Sequence, residues 1–134
     1  MLKKSPVGRV LIVDDEALVR WSLAETLSDR GYTVTEAADG LSALKAISES
    51  SHPFDVVLLD YRLPDSNDLN LLANVRRLAP DSQVIMITAH SSPELIRDAT
   101  DLGVVRVINK PFELESLATL VSQARATPDP NGRT

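Results

Sequence analysis

Five short apolar runs recur along the chain, each rich in β-branched residues: Val10 to Val13, Thr33 to Ala37, Val56 to Leu59, Val84 to Ile87 and Val104 to Ile108. Residues of this type fit a pleated, packed surface, so each run reads as a strand. The segments that follow them carry apolar residues at helical spacing. Strand and helix therefore alternate throughout, and that order demands right-handed crossovers and a parallel sheet. The fold class expected is a doubly wound α/β domain, with five parallel strands and five helices on both faces.

Each helical segment has its own stripe and stop signal. Glu16 to Asp29 presents Val19, Leu23 and Leu27 inward, and Gly31 closes it. Asp39-Gly40 opens a second helix with Ala43, Leu44 and Ile47 on its core face. Asp68 to Ala79 repeats Leu69, Leu72 and Val75 before Pro80, and Ser91-Ser92-Pro93-Glu94 starts a fourth helix that ends at Gly103. Glu113 to about Ala126 buries Leu117, Val121 and Ala124.

At 134 residues with 43% hydrophobic content, one domain is the natural size. Residues 9–126 form it, preceded by a short leader at 1–8 and followed at 127–134 by a Pro-containing flexible linker or appended tail. The net charge of -5 and pI near 4.9 argue against direct nucleic-acid binding, which rests on neutralising phosphates with Lys and Arg. Without cysteine there is no disulfide framework or thiolate site. No apolar stretch reaches the length that spans a bilayer, so a soluble, cytoplasmic protein with no membrane partner is expected.

The run Val56-Val57-Leu58-Leu59 is apolar at every position, as in a strand buried on both faces, and it stops at Asp60. Pro64 and the polar cluster Asp65 to Asp68 then form a loop. Asp60 thus sits at the carboxyl edge of the sheet, where open α/β folds bind ligands. The first strand ends in Asp14-Asp15, so neighbouring strands would gather three carboxylates. Such a cluster either raises its pKa values or binds a cation, and hard oxygen donors suit Mg²⁺. Alone, Asp14-Asp15 is as well explained by the helix macrodipole. Thr88 and Lys110 end the fourth and fifth strands and add a hydroxyl and an ammonium. An aspartate nucleophile with a metal and cationic donors is the equipment for phosphoryl transfer to a carboxylate.

Val13-Asp14-Asp15-Glu16, Leu58-Leu59-Asp60, Leu63-Pro64-Asp65, Ile87-Thr88-Ala89 and Lys110-Pro111-Phe112, in this order and spacing, resemble the receiver (chemotaxis-type) domain of two-component response regulators. The resemblance covers about Arg9 to Ala126. It implies a flavodoxin-like sheet of order 2-1-3-4-5 and a signalling switch rather than an enzyme, one that assists its own phosphorylation and dephosphorylation. Asp60 would accept a phosphoryl group from a phosphohistidine on a sensor histidine kinase or phosphotransfer protein. Asp15, Asp60 and the backbone carbonyl of Arg62 would ligate Mg²⁺, for which Mn²⁺ can substitute, while Asp14 helps through water. Lys110 would pair with the phosphoryl group, Thr88 would swing toward it, and the Lys110-Pro111 bond would be cis.

The face made by the fourth helix, fifth strand and fifth helix would carry the response, including a homodimer contact. Arg20-Trp21, Asp60-Tyr61-Arg62 and Thr88-Ala89-His90-Ser91 look closest to the nitrogen-regulation class of transcriptional regulators, which implies a C-terminal output domain and transcription regulation. In the family Arg62 and His90 flank the phosphoryl group and tune its lifetime; an exposed charge is the ordinary fate of either. Leu18, Trp21, Ser22 and Glu25 fall outside the first helix's stripe, and the family docks its kinase there.

Two positions depart from the pattern. Val107 replaces an aromatic residue coupled to the threonine, so that coupling cannot run in its usual form. Asp68 replaces a glycine, where positive φ would cost Asp more, yet Asn67 and Asp68 are tolerant turn formers and the loop is expected to close. The competing reading is a receiver-like module that signals by binding without phosphorylation. An aspartyl-phosphate phosphatase would want a carboxylate where Arg62 stands, and a flavin domain would want a phosphate-cradling loop where Asp14-Asp15-Glu16 stands.

Overall fold

The computed structural model describes residues 7–126; residues 1–6 of the expected leader and the expected tail at 127–134 lie outside the described residues. The chain runs β1 (Gly8–Val13), α1 (Ala17–Asp29), β2 (Tyr32–Ala37), α2 (Gly40–Glu49), β3 (Val56–Asp60), α3 (Asn70–Leu78), β4 (Gln83–Thr88), α4 (Pro93–Asp101), β5 (Val104–Asn109) and α5 (Leu114–Ala126). All five strands are parallel, in the order β2-β1-β3-β4-β5.

Because side chains alternate across a strand, each central strand feeds two cores. From β1, Val10 and Ile12 join Val56, Leu58, Ile85 and Ile87 beneath Leu23 and Leu27 of α1 and Leu117 and Val121 of α5. Leu11 and Val13 point the other way, joining Val57, Leu59, Val84 and Met86 against Ala43 of α2, Leu72 and Val75 of α3 and Ala99 of α4. A fully buried Leu or Ile contributes about 1.5–3 kcal/mol relative to exposure, and these two layers hold most of the large ones.

Local signals place the helix ends. The Asp39 carboxylate accepts from Ser42 N at 2.7 Å, a bond that holds its pKa below the usual carboxylate value. Ser92 Oγ caps α4 by accepting from Leu95 N at 3.0 Å, with Pro93 in the first turn. Past α1 and α4, Gly31 (φ 97°) and Gly103 (φ 102°) take the left-handed conformation that glycine adopts without a Cβ penalty. α3 begins at Asn70, two residues later than expected, because Asp68 turns back to accept from Asn70 N at 2.9 Å. Among the described residues no non-glycine residue has positive φ, so Asp68 avoids the strain its replacement of glycine raised. The loop closes through paired backbone bonds between Leu63 and Ser66.

Candidate functional site

Parallel strands bring their carboxyl ends to one edge, and register decides which residues meet there. Val13 lies opposite Leu59, so Asp14, just past the end of β1, and Asp60, the last residue of β3, arrive side by side; Thr88 lies opposite Asn109, one residue before Lys110. Asp14, Asp60 and Thr88 are all buried, whereas Asp15 is exposed.

Lys110 binds the edge together. Its Nζ donates to Asp60 Oδ2 at 3.0 Å and to Glu16 Oε1 at 3.0 Å, and stands 3.2 Å from Asp14 Oδ2. Burial works against the ammonium's charge, but the bonds to Asp60 and Glu16 outweigh it and hold its pKa above the ordinary lysine value. Asp60 experiences the opposite balance. Its burial pushes the carboxyl pKa up, the Lys110 bond pulls it down and the charge of Asp14 pushes it up again, leaving it raised. One ammonium shared among three carboxylates cannot satisfy them all.

The backbone fixes the remaining pieces. Arg62 N donates to Asp60 Oδ1 at 3.3 Å while the Arg62 side chain is exposed. Glu16 N donates to Asp14 Oδ1 at 2.8 Å. Thr88 Oγ1 accepts from His90 N at 3.2 Å, so its hydroxyl is held by the β4–α4 loop rather than by Asp60. Lys110 N donates to Thr88 O at 2.8 Å, and the Lys110-Pro111 bond is cis, as expected. The Asp65 carboxylate reaches across to accept from Gly40 N at 2.8 Å and Leu41 N at 3.0 Å, tying the loop after β3 to the start of α2.

The edge fits a divalent cation. Asp14, Asp15 and Asp60 each offer a carboxylate oxygen, all within 4.8 Å of one another. Asp14 Oδ2 is buried and makes no hydrogen bond, although Lys110 Nζ is near. A buried carboxylate oxygen without a donor is the kind of group a metal or its bound water satisfies.

Sequence reasoning named every strand-end group here except Glu16 as a partner of Lys110. Its position beside Asp15 was visible, but that its exposed side chain reaches Lys110 depends on the path of the β5–α5 connection. Val107 is half-buried against the α2–α3–α4 core layer, an ordinary packing position. On α1, Leu18 (75% exposed) and Trp21 (57%) face outward, with Leu18, Val19 and Ser22 lining a groove that also includes Lys110, Pro111, Phe112 and Leu114. Among the described residues no helix is long and apolar enough to cross a membrane.

Fold and site define a doubly wound α/β domain with an acidic, lysine-bridged pocket at the carboxyl edge of its sheet. The chain belongs to the response regulator receiver domain family, whose model matches residues 10–122. It is 33% identical over 117 residues to the DNA-binding transcriptional regulator NtrC of Escherichia coli K12, covering 87% of this chain but 24% of that protein. It is also 30% identical to sporulation initiation phosphotransferase F of Bacillus subtilis, covering 86% of this chain and 91% of that one. A CheY-like receiver domain structure from Methanospirillum hungatei superposes with a TM-score of 0.83 at 30% identity, covering 90% of this chain and 94% of that one. The chain thus spans about a quarter of NtrC. Receiver domains are signalling switches of two-component systems.

Proposed function

We propose that Asp60 is the phosphoacceptor of this receiver domain, taking a phosphoryl group from a phosphohistidine on a partner kinase or phosphotransfer protein. The observation that carries the reading is the placement of Lys110 Nζ 3.0 Å from a buried Asp60 whose neighbours Asp14 and Asp15 complete a three-carboxylate cluster. Asp14, Asp15, Asp60 and the Arg62 carbonyl are the residues that would hold Mg²⁺ or Mn²⁺. Bound there, the ion neutralises the carboxylates and the incoming phosphoryl oxygens.

In the transfer, an Asp60 carboxylate oxygen forms a bond to phosphorus as the donor's N–P bond breaks, and the released imidazole takes a proton from solvent. The elevated pKa of Lys110 keeps it charged, ready to pair with phosphoryl oxygens in place of the carboxylates it now bridges. The Thr88 hydroxyl accepts from His90 N at 3.2 Å and donates to His90 O at 3.3 Å, and turning toward the phosphoryl group would exchange the donated bond for a charge-assisted one. This exchange would shift the β4–α4 loop and bias the packing of α4, β5 and α5.

NtrC's description as a DNA-binding transcriptional regulator supports a transcriptional output through a further domain. Homodimerisation through the α4-β5-α5 face, a cytoplasmic setting and lifetime tuning by Arg62 and His90 belong to the same reading. The runner-up, a module that binds its partner without phosphorylation, draws on Val107 in place of the aromatic relay. Incubation with a small acyl phosphate, with and without Mg²⁺, followed by intact mass, separates the two. One phosphoryl adduct dependent on Mg²⁺ is expected; absence of an adduct with both acyl phosphate and a cognate kinase contradicts the proposal.

A further inference from the structure

The carboxylates of Asp14 and Asp15 extend past the end of β1, where the ladder no longer holds them. The last bond to β2 is Asp14 N to Ala37 O at 3.1 Å. One step later, the carbonyl of Asp14 has left the β2 strand behind, and a backbone carbonyl near the interior needs a donor. Arg20 supplies it: one turn into α1, its Nη1 donates to Asp14 O at 2.6 Å. The same guanidinium is held from the other side, Nε donating to Glu36 Oε1 at 3.1 Å. Arg20 is 19% exposed and Glu36 43%, so the bridge runs from the half-exposed edge of β2 inward to the site.

The atom held is what matters. The Asp14 carbonyl belongs to the planar peptide linking Asp14 to Asp15. Fixing that plane restrains ψ of Asp14 and φ of Asp15, the dihedrals that set how the two carboxylates are disposed relative to each other. A planar guanidinium does this better than an ammonium, since one end can bond the carbonyl while another bonds Glu36.

We infer that Arg20, oriented by Glu36, is a positioning residue that aligns the Asp14–Asp15 peptide so that the two carboxylates converge with Asp60 on a divalent cation. The assignment rests on the reading of these three aspartates as metal ligands. Two effects of the guanidinium oppose each other. Its charge repels a cation, which on its own makes removal tighten binding, whereas its hold on the peptide makes removal weaken binding. Because Glu36 neutralises the charge locally, the positional effect dominates, and the sign of the change separates the alternatives.

Mg²⁺ binding by calorimetry decides it, with wild type, Arg20→Met, Arg20→Lys and Glu36→Gln measured beside thermal unfolding of the metal-free proteins. Loss of a partner that orients metal ligands weakens affinity roughly tenfold or more, so Arg20→Met should raise the Mg²⁺ Kd by about that factor. Arg20→Lys should recover part of the loss, and Glu36→Gln should cost about threefold, the scale of an exposed ion pair. Unchanged or tighter Mg²⁺ binding in Arg20→Met overturns the inference, even if its unfolding temperature falls. If Arg20→Met does not fold, Arg20→Lys, which keeps the charge, carries the test, and an Mg²⁺ affinity equal to wild type overturns it. Failure of the wild type to bind Mg²⁺ refutes the metal-site reading itself and is a separate result.

Discussion

β3 and β5 each deliver a central residue of the site, yet they are built in opposite ways. All five residues of β3 are buried, between β1 and β4 and under helices on both faces. β5 is an edge strand in which only Val104 is buried, Val105, Arg106 and Asn109 are exposed, and the pairing with β4 shifts register between Val84 and Ile85. α4, which packs beside β5, buries only Ala99. Asp60 is thus mounted on the most constrained strand, and Lys110 follows the least constrained one. Segments with few buried apolar groups open at low cost. On the proposed reading the acceptor would stay fixed while the strand leading to its counter-ion repacks, which is what a switch requires.

The largest effect expected is functional. Asp60→Asn should abolish phosphoryl uptake, while Lys110→Ala should reduce it without moving the site of attachment; intact mass after treatment with acyl phosphate reads both. Uptake by Asp60→Asn equal to wild type would break the assignment of β3 as the acceptor strand.

Stability sharpens the contrast next. Leu58→Ala, within β3, should cost about 2–5 kcal/mol by denaturant unfolding. Val105→Ala, on β5, should fall within about 0.5 kcal/mol, as is usual for surface positions. Comparable losses at the two sites would remove the distinction between a fixed and a yielding strand.

Much of this contrast was legible in the sequence, and the reasons are local. Val56 to Leu59 is apolar at every position because both faces are covered, and the β-branched runs and the glycines at 31 and 103 mark elements through short-range preferences. The strand-end residues Asp14, Asp60, Thr88 and Lys110 converge because a parallel sheet leaves little choice. Contacts set by loop paths were not legible. Asp65 capping the start of α2, Glu16 folding to Lys110 and Arg20 bridging Glu36 to the Asp14 carbonyl join residues whose separation in sequence carries no periodic signal. The late start of α3 has the same origin, since Asp68 competes with the helix for the Asn70 N–H.

Metal binding should stabilise the acidic edge. At a Mg²⁺ concentration ten times its Kd, the wild type should gain about 1.4 kcal/mol against unfolding. Asp15→Asn, which removes a proposed ligand at an exposed position, should lose most of that gain, and an equal gain in both proteins would place the ion elsewhere.

The smallest effect concerns pH. The raised pKa of Asp60 means that the folded state holds its proton more tightly than the unfolded chain does. In metal-free protein, its contribution to stability is fully present below the ordinary Asp value of 3.8 and is lost as pH rises through the elevated folded value. Metal-free wild type should therefore lose stability relative to Asp60→Asn as pH climbs through that window. A difference independent of pH would show that burial and Asp14 do not outweigh Lys110.

On the proposed reading the phosphoryl group rests on Asp60 and nowhere else. Treatment of the phosphorylated protein with borohydride reduces an acyl phosphate to the alcohol, converting the modified aspartate to homoserine, which peptide mass spectrometry then locates. Homoserine at position 60, formed only when Mg²⁺ was present during phosphorylation, is the predicted result. Homoserine at 14, 15 or 65, or its absence from a protein that carries the added phosphoryl mass, would contradict the account.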